Sequence, residues 1–552
     1  MINILTINIE DYYQVGTFSH LIPYREWERF EDRIRRNTER TLDLLRAADA
    51  RATFFVSGWI AEKHGHLLRR IREEGHEIAA QGYYQQSVRN APPAVFRDDL
   101  RRSRAIIEDA IGCAVLGFRV GRGWLGPDDL WVLEVLREEG FRYDSSICPL
   151  GRQFRDHPER FTLHALGEGA ERLVEVPASA VTLCGYAVPF AGGNYLRQLP
   201  VVLTRRLSRQ WVEKRGTPLV MYFHIWELDK TQPSITAAGL LQRLRHYRNL
   251  DAMAGRIRHL LETYRFSSVQ HYLDLNQDQI PAHSDHIAGP STAALAPNAE
   301  HMPLAPTPIS ILVPCYNEEE AIPYLARTLA GLITASVARL EIEIVLIDDG
   351  SSDATWRELE LAFAGHAHCK LVRHAHNRGI AAAIMTGFKH ASCEYVAVID
   401  ADCTFDPFDI ERMLTLMSDD VTVVAASPFH PRGQVRNVPG WRLLLSRGAT
   451  ALYARVFRNA LSSYTSCFRI YRRAPLVGLE IDNPGFCGVT EIIARLDIAG
   501  HRIAECPVVL QVRLLGQSKI RLLRVVRDHL GLWSRLLARR WFGIRLPHEP
   551  VP

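Results

Sequence analysis

The chain is poor in the features that would send it out of the cytoplasm or across a bilayer. None of its ten cysteines forms a Cys-x-x-Cys pair, so neither a disulfide framework nor a structural zinc is expected. No apolar run approaches the roughly twenty residues that a membrane-crossing helix needs. The first residues, Met1-Ile2-Asn3-Ile4-Leu5-Thr6, enter a strand directly, without the basic stretch and cleavage site of a secretory signal. The expected location is therefore cytoplasmic, with at most a peripheral contact on the inner face of a membrane. Net charge is only +4, which gives no reason to expect a nucleic-acid partner. What is present is bulk: 552 residues, 47% hydrophobic, are ample for two or three domains with their own cores.

The second half is built of apolar strands that end in carboxylates. Val398-Ile399-Asp400-Ala401-Asp402 closes a hydrophobic run with two aspartates one residue apart. Side chains two apart on a strand share a face, so the pair is placed to hold a hard divalent cation against a diphosphate. A turn after a strand would also use aspartate. Upstream, Glu343-Ile344-Val345-Leu346-Ile347-Asp348-Asp349-Gly350-Ser351 repeats the pattern, and Ile309-Ser310-Ile311-Leu312-Val313-Pro314-Cys315-Tyr316-Asn317-Glu318 runs from a strand into a polar loop. Strands alternating with helical stretches predict an α/β fold with a doubly wound parallel sheet.

With Asn377-Arg378-Gly379 and the amphipathic segment after it, these motifs resemble the family 2 glycosyltransferases of the GT-A fold, over roughly residues 307 to 525. The pattern is most similar to enzymes resembling dolichyl-phosphate mannose synthase, which implies a nucleotide-sugar donor and a polyprenyl phosphate or glycan acceptor. The resemblance implies Mg2+ or Mn2+ on Asp402, assisted by Asp400. It places the donor on Pro314, Tyr316, Asn317, Glu318, Asp348, Asp349 and Gly379, with Lys519 in a closing loop, Gln517-Ser518-Lys519. Arg442 and Ser446 are four apart on an otherwise apolar helix, a face that suits an acceptor phosphate or is merely solvated. Glu491 matches the family's acidic position and becomes the expected base if the acceptor is a hydroxyl. Its other reading is a carboxylate favoured by a helix N-terminus. The subfamily pattern is broken at Thr404, at Asp406-Pro407 and at Ser427-Pro428, where Arg432 or Arg436 is the expected substitute contact.

The first half resembles the polysaccharide deacetylases, a distorted (β/α) barrel, across about residues 1 to 273. The resemblance is carried by Ile4 to Tyr13, Ala52-Thr53-Phe54-Phe55-Val56, Gly75-His76-Glu77-Ile78-Ala79, Gly117-Phe118-Arg119, Tyr143-Asp144-Ser145-Ser146 and Phe223-His224-Ile225-Trp226-Glu227. It implies a metal held by an aspartate and a His-x-x-x-His pair. Here Asp11 remains, Gln81 and Gln85 stand at the histidine positions, and Asn8 stands where the catalytic base belongs. Amides are poor zinc ligands, and asparagine takes no proton from water. The expectation is no zinc and no deacetylation, with Arg119 and His224 retained in a frame that still binds glycan. A carboxylate metal set at Glu10 and Asp11, and a purely structural role, are the other readings. His76 is expected to be a core or loop histidine.

Domain expectations follow: residues 1–275 deacetylase-like, 276–307 a flexible Ala/Pro/Ser/Asn linker, 308–525 the transferase and 526–552 a basic amphipathic tail. The tail, with the leucines and arginines just before it, either lies on an anionic membrane or packs as an ordinary helix. The expected function is glycosyl transfer in surface polysaccharide or glycolipid synthesis. A bifunctional transferase/N-deacetylase and a non-catalytic assembly scaffold are the alternatives.

Overall fold

The computed structural model describes residues 2–84, 88, 92–151, 154, 158–167, 172–183, 186–276, 279–283, 306–436, 438, 440–511, 513–514 and 522–542, with the backbone alone at 158–159, 282–283, 440–442 and 522–524. The chain divides into two compact units. One comprises Met1–Trp27, Asp32–Pro233 and Gly239–Asn298, and the other Glu28–Glu31, Ser234–Ala238 and Ala299–Pro552.

The first unit opens with alternating strands and helices: β1 (Asn3–Asn8), α1 (Ile34–Ala47), β2 (Thr53–Val56), α2 (Gly58–Glu73), β3 (Glu77–Ala80), α3 (Pro93–Ile111), β4 (Gly117–Phe118), α4 (Trp131–Glu138) and β5 (Tyr143–Asp144). The antiparallel pair β6 (His164–Leu166) and β7 (Leu173–Glu175) follows, then the hairpin β8 (Ala180–Leu183) and β9 (Tyr186–Pro189). Helices α5 (Gly193–Gln198) and α6 (Val201–Lys214) lead to β10 (Val220–His224). Helices α7 (Leu240–Tyr247), α8 (Leu250–Thr263) and α9 (Val269–Asn276) come later, with β11 (Phe266–Ser267) and β12 (Ala282–His283). The main sheet runs β10-β1-β2-β3-β4-β5-β7-β6-β12, with β11 also on β1, so the distorted barrel stays open between β10 and β12. Its strands are short and buried, and register sets Asn8 level with both Phe55 and His224. The carboxyl ends of neighbouring strands thereby gather the first unit's polar residues.

The second unit is doubly wound. Its strands are β13 (Thr307–Cys315), β14 (Leu340–Asp348), β15 (Cys369–Arg373), β16 (Tyr395–Val398), β17 (Val421–Ser427), β18 (Gln434–Arg436), β19 (Arg469–Arg472), β20 (Arg502–Pro507) and β21 (Val509–Gln511). The large sheet has the order β15-β14-β13-β16-β19-β17-β20, antiparallel only around β19, and β18 pairs β21 separately. Ile311 and Val313 pack on one side with α10 (Ile322–Ser336), α11 (Thr355–Phe363) and α13 (Asp409–Leu414). Leu312 packs on the other, with α12 (Ile380–His390), α15 (Phe486–Ile498) and the inner face of α16 (Leu522–Phe542), which α14 (Gly440–Tyr453) adjoins. Burial on both faces is why the strand sequences are continuous apolar runs rather than alternating ones.

The expected boundary between residues 525 and 526 falls inside α16, whose Leu532 and Leu536 are core residues. Residues 284–305, most of the expected linker, lie outside the described residues, while Ala282–His283 pairs with β6.

Candidate functional site

From β13 the chain winds outward through β14 and β15, then returns to lay β16 against the other side of β13. That reversal opens a crevice at the carboxyl ends of β13 and β16, where open α/β sheets place ligands. Leu312 lies opposite Val398, which brings Pro314 level with Asp400, and Cys315 lies opposite Asp348, so the three strand-end motifs meet. A cavity of about 920 Å³ fills the crevice.

The cavity wall includes Pro314, Tyr316, Asn317 and Glu318 from the loop after β13, then Asp349, Gly379, Asp400 and Asp402, and Ser446 of α14. Asp349 anchors one side of the cavity. It accepts from His374 Nδ1 at 2.6 Å, Asn377 Nδ2 at 3.0 Å, Arg378 N at 2.9 Å and Gly379 N at 2.7 Å. The Asn-Arg-Gly motif is thus a turn wound around one carboxylate. Gly379 has φ +101°, and a Cβ there would stand 2.4 Å from the Pro484 carbonyl oxygen. Asn317 closes the other loop, accepting from Ser352 N at 2.7 Å while its own N–H donates to Ser351 Oγ at 2.8 Å.

Asp400 and Asp402 crowd two carboxylates at the end of β16. Burial, and then the Asp402 charge, push the Asp400 carboxyl up to about 7. Asp402 faces Arg513, a residue that sequence reasoning missed: Nε stands 2.5 Å from Asp402 Oδ2, and Nη1 stands 3.1 Å from Glu318 Oε1. Its only signal is a lone charge in the apolar run from Val508 to Leu514. Among the described residues no three His, Cys, Asp or Glu side chains converge to hold a metal ion by themselves. Two hard carboxylates with a guanidinium standing on one of them fit a divalent cation that takes its remaining ligands from phosphate oxygens and water. Thr404, in place of the family's usual residue, lines the cavity and donates its N–H to Asp402 at 3.1 Å. Val525 and Asp528 of α16 also line it.

Two expectations are corrected. Asp348 is fully buried and off the cavity wall; it accepts from Ser351 N at 3.0 Å and pairs with Arg373 at 3.1 Å, so it shapes the turn that presents Asp349. Glu491 is no base. It is buried, accepts from Asp482 N at 2.9 Å, Asn483 N at 3.0 Å, the Asn483 amide and Arg495 Nη2 at 2.7 Å. Burial opposes the charge, but these donors outweigh it and hold the carboxyl below its usual range. Such a group ties α15 to the preceding turn. Lys519, Gln85 and the Arg442 side chain lie outside the described residues.

In the first unit Arg119 is completely buried, donating to Asn8 Oδ1 at 3.0 Å, Thr6 Oγ1 at 2.9 Å and Ser145 Oγ at 2.7 Å. His224 Nδ1 stands 2.5 Å from Glu10 Oε1 and 3.3 Å from Asn8 Nδ2; the shorter contact is donation to the carboxylate. Burial opposes protonation of that ring, yet Glu10 outweighs it and the pKa is raised. Asp11 accepts from Tyr12 N at 2.8 Å and Arg33 N at 2.6 Å, and burial lifts it to about 8. Gln81 is buried at the end of β3, and His76 packs its ring on Phe54.

Residues 310–478 match the family model described as Glycosyl transferase family 2. The second unit carries a family 2 glycosyltransferase domain. Residues 28–143 match Polysaccharide deacetylase, and residues 145–274 match a Domain of unknown function (DUF3473), so the first unit is deacetylase-like. The transferase half is similar to a dolichol-phosphate mannosyltransferase of Pyrococcus furiosus, 27% identical over 43% of this chain and 64% of that protein. It is also similar to a polyprenol monophosphomannose synthase of Mycolicibacterium smegmatis, 27% identical over 44% of this chain and 88% of that protein. The chain thus spans about two thirds of the Pyrococcus relative's length. A solved glucosyl-3-phosphoglycerate synthase from Mycobacterium tuberculosis, in complex with Mn2+, UDP and glucosyl-3-phosphoglycerate, aligns at 20% identity and TM-score 0.33 over 44% of this chain and 82% of that one. No helix among the described residues is long and apolar enough to cross a membrane.

Proposed function

We propose that the glycosyltransferase unit moves a sugar from a nucleoside diphosphate donor to a polyprenyl phosphate at the cytoplasmic face of a membrane, in the synthesis of surface polysaccharide or glycolipid. The deacetylase-like unit in this reading holds glycan without hydrolysing it. The convergence of Asp349, Asp400, Asp402 and Glu318 in one cavity carries the reading. Asp349 fixes the loop against which the donor's nucleoside lies. Asp402 and Asp400 hold Mg2+ or Mn2+, which when bound neutralises charge on the leaving diphosphate. A phosphate oxygen of the acceptor bonds to the anomeric carbon as the bond to the diphosphate oxygen breaks, and the diphosphate leaves with the electron pair. An anionic phosphate needs no base, which agrees with a Glu491 already saturated by donors. The names of the two sequence relatives support the lipid phosphate as acceptor.

The first unit lacks the means of activating water. The Asn8 amide oxygen already takes an Arg119 N–H, and Gln81 offers no imidazole.

The test is a panel of labelled nucleotide sugars incubated with purified full chain, manganese and detergent-dispersed polyprenyl phosphate. Label should enter the organic phase for one donor, and only when the lipid phosphate is present. Transfer to free oligosaccharide in place of the lipid would contradict the acceptor. In parallel, N-acetylated oligosaccharide incubated with the same protein and zinc should release no acetate, and stoichiometric release would overturn the non-hydrolytic reading.

A further inference from the structure

At the strand ends of the first unit, hydrogen-bond donors outnumber the acceptors that could satisfy them. Arg119, from the loop after β4, fixes the Asn8 amide: Oδ1 accepts from Arg119 Nη1 at 3.0 Å, so Nδ2 is the end turned toward His224. His224 Nδ1, 2.5 Å from Glu10 Oε1, donates to that carboxylate. The 3.3 Å approach of Asn8 Nδ2 to the same ring nitrogen therefore sets donor against donor. Asn8 is only 6% exposed, and its N–H2 is left without an acceptor at a site where water is scarce. A buried donor in that state favours any ligand that brings an acceptor.

Two guanidinium groups give the place its charge. Arg119 is buried, and the side chains it bonds, Asn8, Thr6 and Ser145, are all neutral; burial pulls its pKa down to about 10, while Asp144 and Glu175 act on it through space without a hydrogen bond. Arg122 stands beside the loop after β1, its Cγ 3.7 Å from where a Cβ on Gly16 would be, and its Nε is buried with no acceptor. The carboxylate that acts on Arg122 is Glu10, which His224 Nδ1 and, at 3.2 Å, Trp226 Nε1 already hold. Beside these groups the partly exposed Trp124 packs edge-on against Tyr222, with ring centroids 5.3 Å apart. Gly193, at φ +43°, keeps the neighbouring space open, since a Cβ there would stand 2.9 Å from the Tyr222 ring and 3.5 Å from His224 Nε2.

We propose that this strand-end site takes a carboxylate-bearing sugar, a uronic acid unit of a polysaccharide, its carboxylate received by the Asn8 amide N–H2 and the Arg122 guanidinium and its apolar ring face laid on Trp124. The proposal rests on the reading of the first unit as a holder of glycan and names the class of glycan. A planar carboxylate matches the fork of a guanidinium and the paired hydrogens of an amide. It also supplies, from the ligand, the negative charge that Asn8 removes from a position where the resemblance implies a carboxylate. A neutral N-acetylated sugar brings no such charge and leaves both guanidinium groups as they are.

The experiment is calorimetric titration of the full chain, in excess chelator, with tetragalacturonate and with chitotetraose as the neutral reference. Tetragalacturonate should bind about tenfold or more tightly than chitotetraose, as one charge-assisted hydrogen bond would give, and should weaken with salt. Arg122→Gln and Asn8→Asp should each weaken the acidic ligand by about tenfold or more. Arg122→Lys, which keeps the charge, should retain most of the affinity, and Asn8→Asp, whose new carboxylate pairs with Arg119, should melt no lower than wild type. Equal affinity for the two tetramers would overturn the acidic-sugar assignment and leave the glycan-holding reading standing. Binding of neither would overturn both. Tight binding of tetragalacturonate that Arg122→Gln and Asn8→Asp leave unchanged would place the anion elsewhere on the chain and overturn this site.

Discussion

Glu175 and Asp144 face each other across β7 and β5, both fully buried. Asp144 accepts from Ser146 N at 2.8 Å and Ser146 Oγ at 2.6 Å, whereas Glu175 accepts from Ile147 N at 3.1 Å. Burial, and then the Asp144 charge, hold the Glu175 carboxyl well above its usual range. A folded-state pKa above the unfolded one means that the folded chain holds a proton the unfolded chain releases. The stability from this group is complete below the ordinary glutamate value and is lost as pH rises toward the raised one. Glu175→Gln cannot ionise and still donates an N–H toward Asp144. Its melting temperature relative to wild type should therefore improve steadily from about pH 5 to about pH 8. A difference that stays constant over that range would contradict the raised Glu175 value. The same physics explains why Glu491 misleads a reader of sequence: a carboxylate one helix turn from Arg495 has the right chain position, but its capture by the Asp482 and Asn483 amides exists only once the turn before α15 is folded.

Strands β13, β14 and β16 are legible in the sequence because helices cover both faces of the sheet, which makes each strand one continuous apolar run ending in a polar loop. The order of their carboxylates also gives away the cavity, since a doubly wound sheet brings successive strand ends to one edge. What sequence does not give is contributed from afar. Arg513 follows β21, a short strand outside the large sheet, and no period marks it. Helix α16 presents both arginines and leucines, and composition alone leaves it between a tail and a packed helix. Burial of Leu532 to 1% decides the matter for its inner face. Leu532→Ala should cost about 2 to 4 kcal/mol, the range for a large-to-small change in a packed core. Chemical denaturation reads this as a lower midpoint with unchanged slope. A loss below about 0.5 kcal/mol, typical of a surface site, would show that α16 is not part of the unit's core.

Two units of different kinds stand in this chain, one with carboxylates gathered at a cavity and one with amides at positions where the resemblance implies a base and metal ligands. In the first unit Arg119 bonds Asn8, and His224 bonds Glu10, at the strand ends. In the second, the proposed transfer needs a divalent cation held against the donor's diphosphate by Asp402 with Asp400, and nothing that Asp348 or Glu491 supplies. The most direct measurement is the rate of nucleoside diphosphate release by Asp402→Asn beside wild type, at saturating manganese with the donor and polyprenyl phosphate found in the screen. Because a metal ion contributes several kcal/mol to such a step, the variant should be slower by about two to three orders of magnitude or more, with its fold and melting temperature retained. A variant that turns over at near the wild-type rate, or a wild type indifferent to excess chelator, would contradict the central claim.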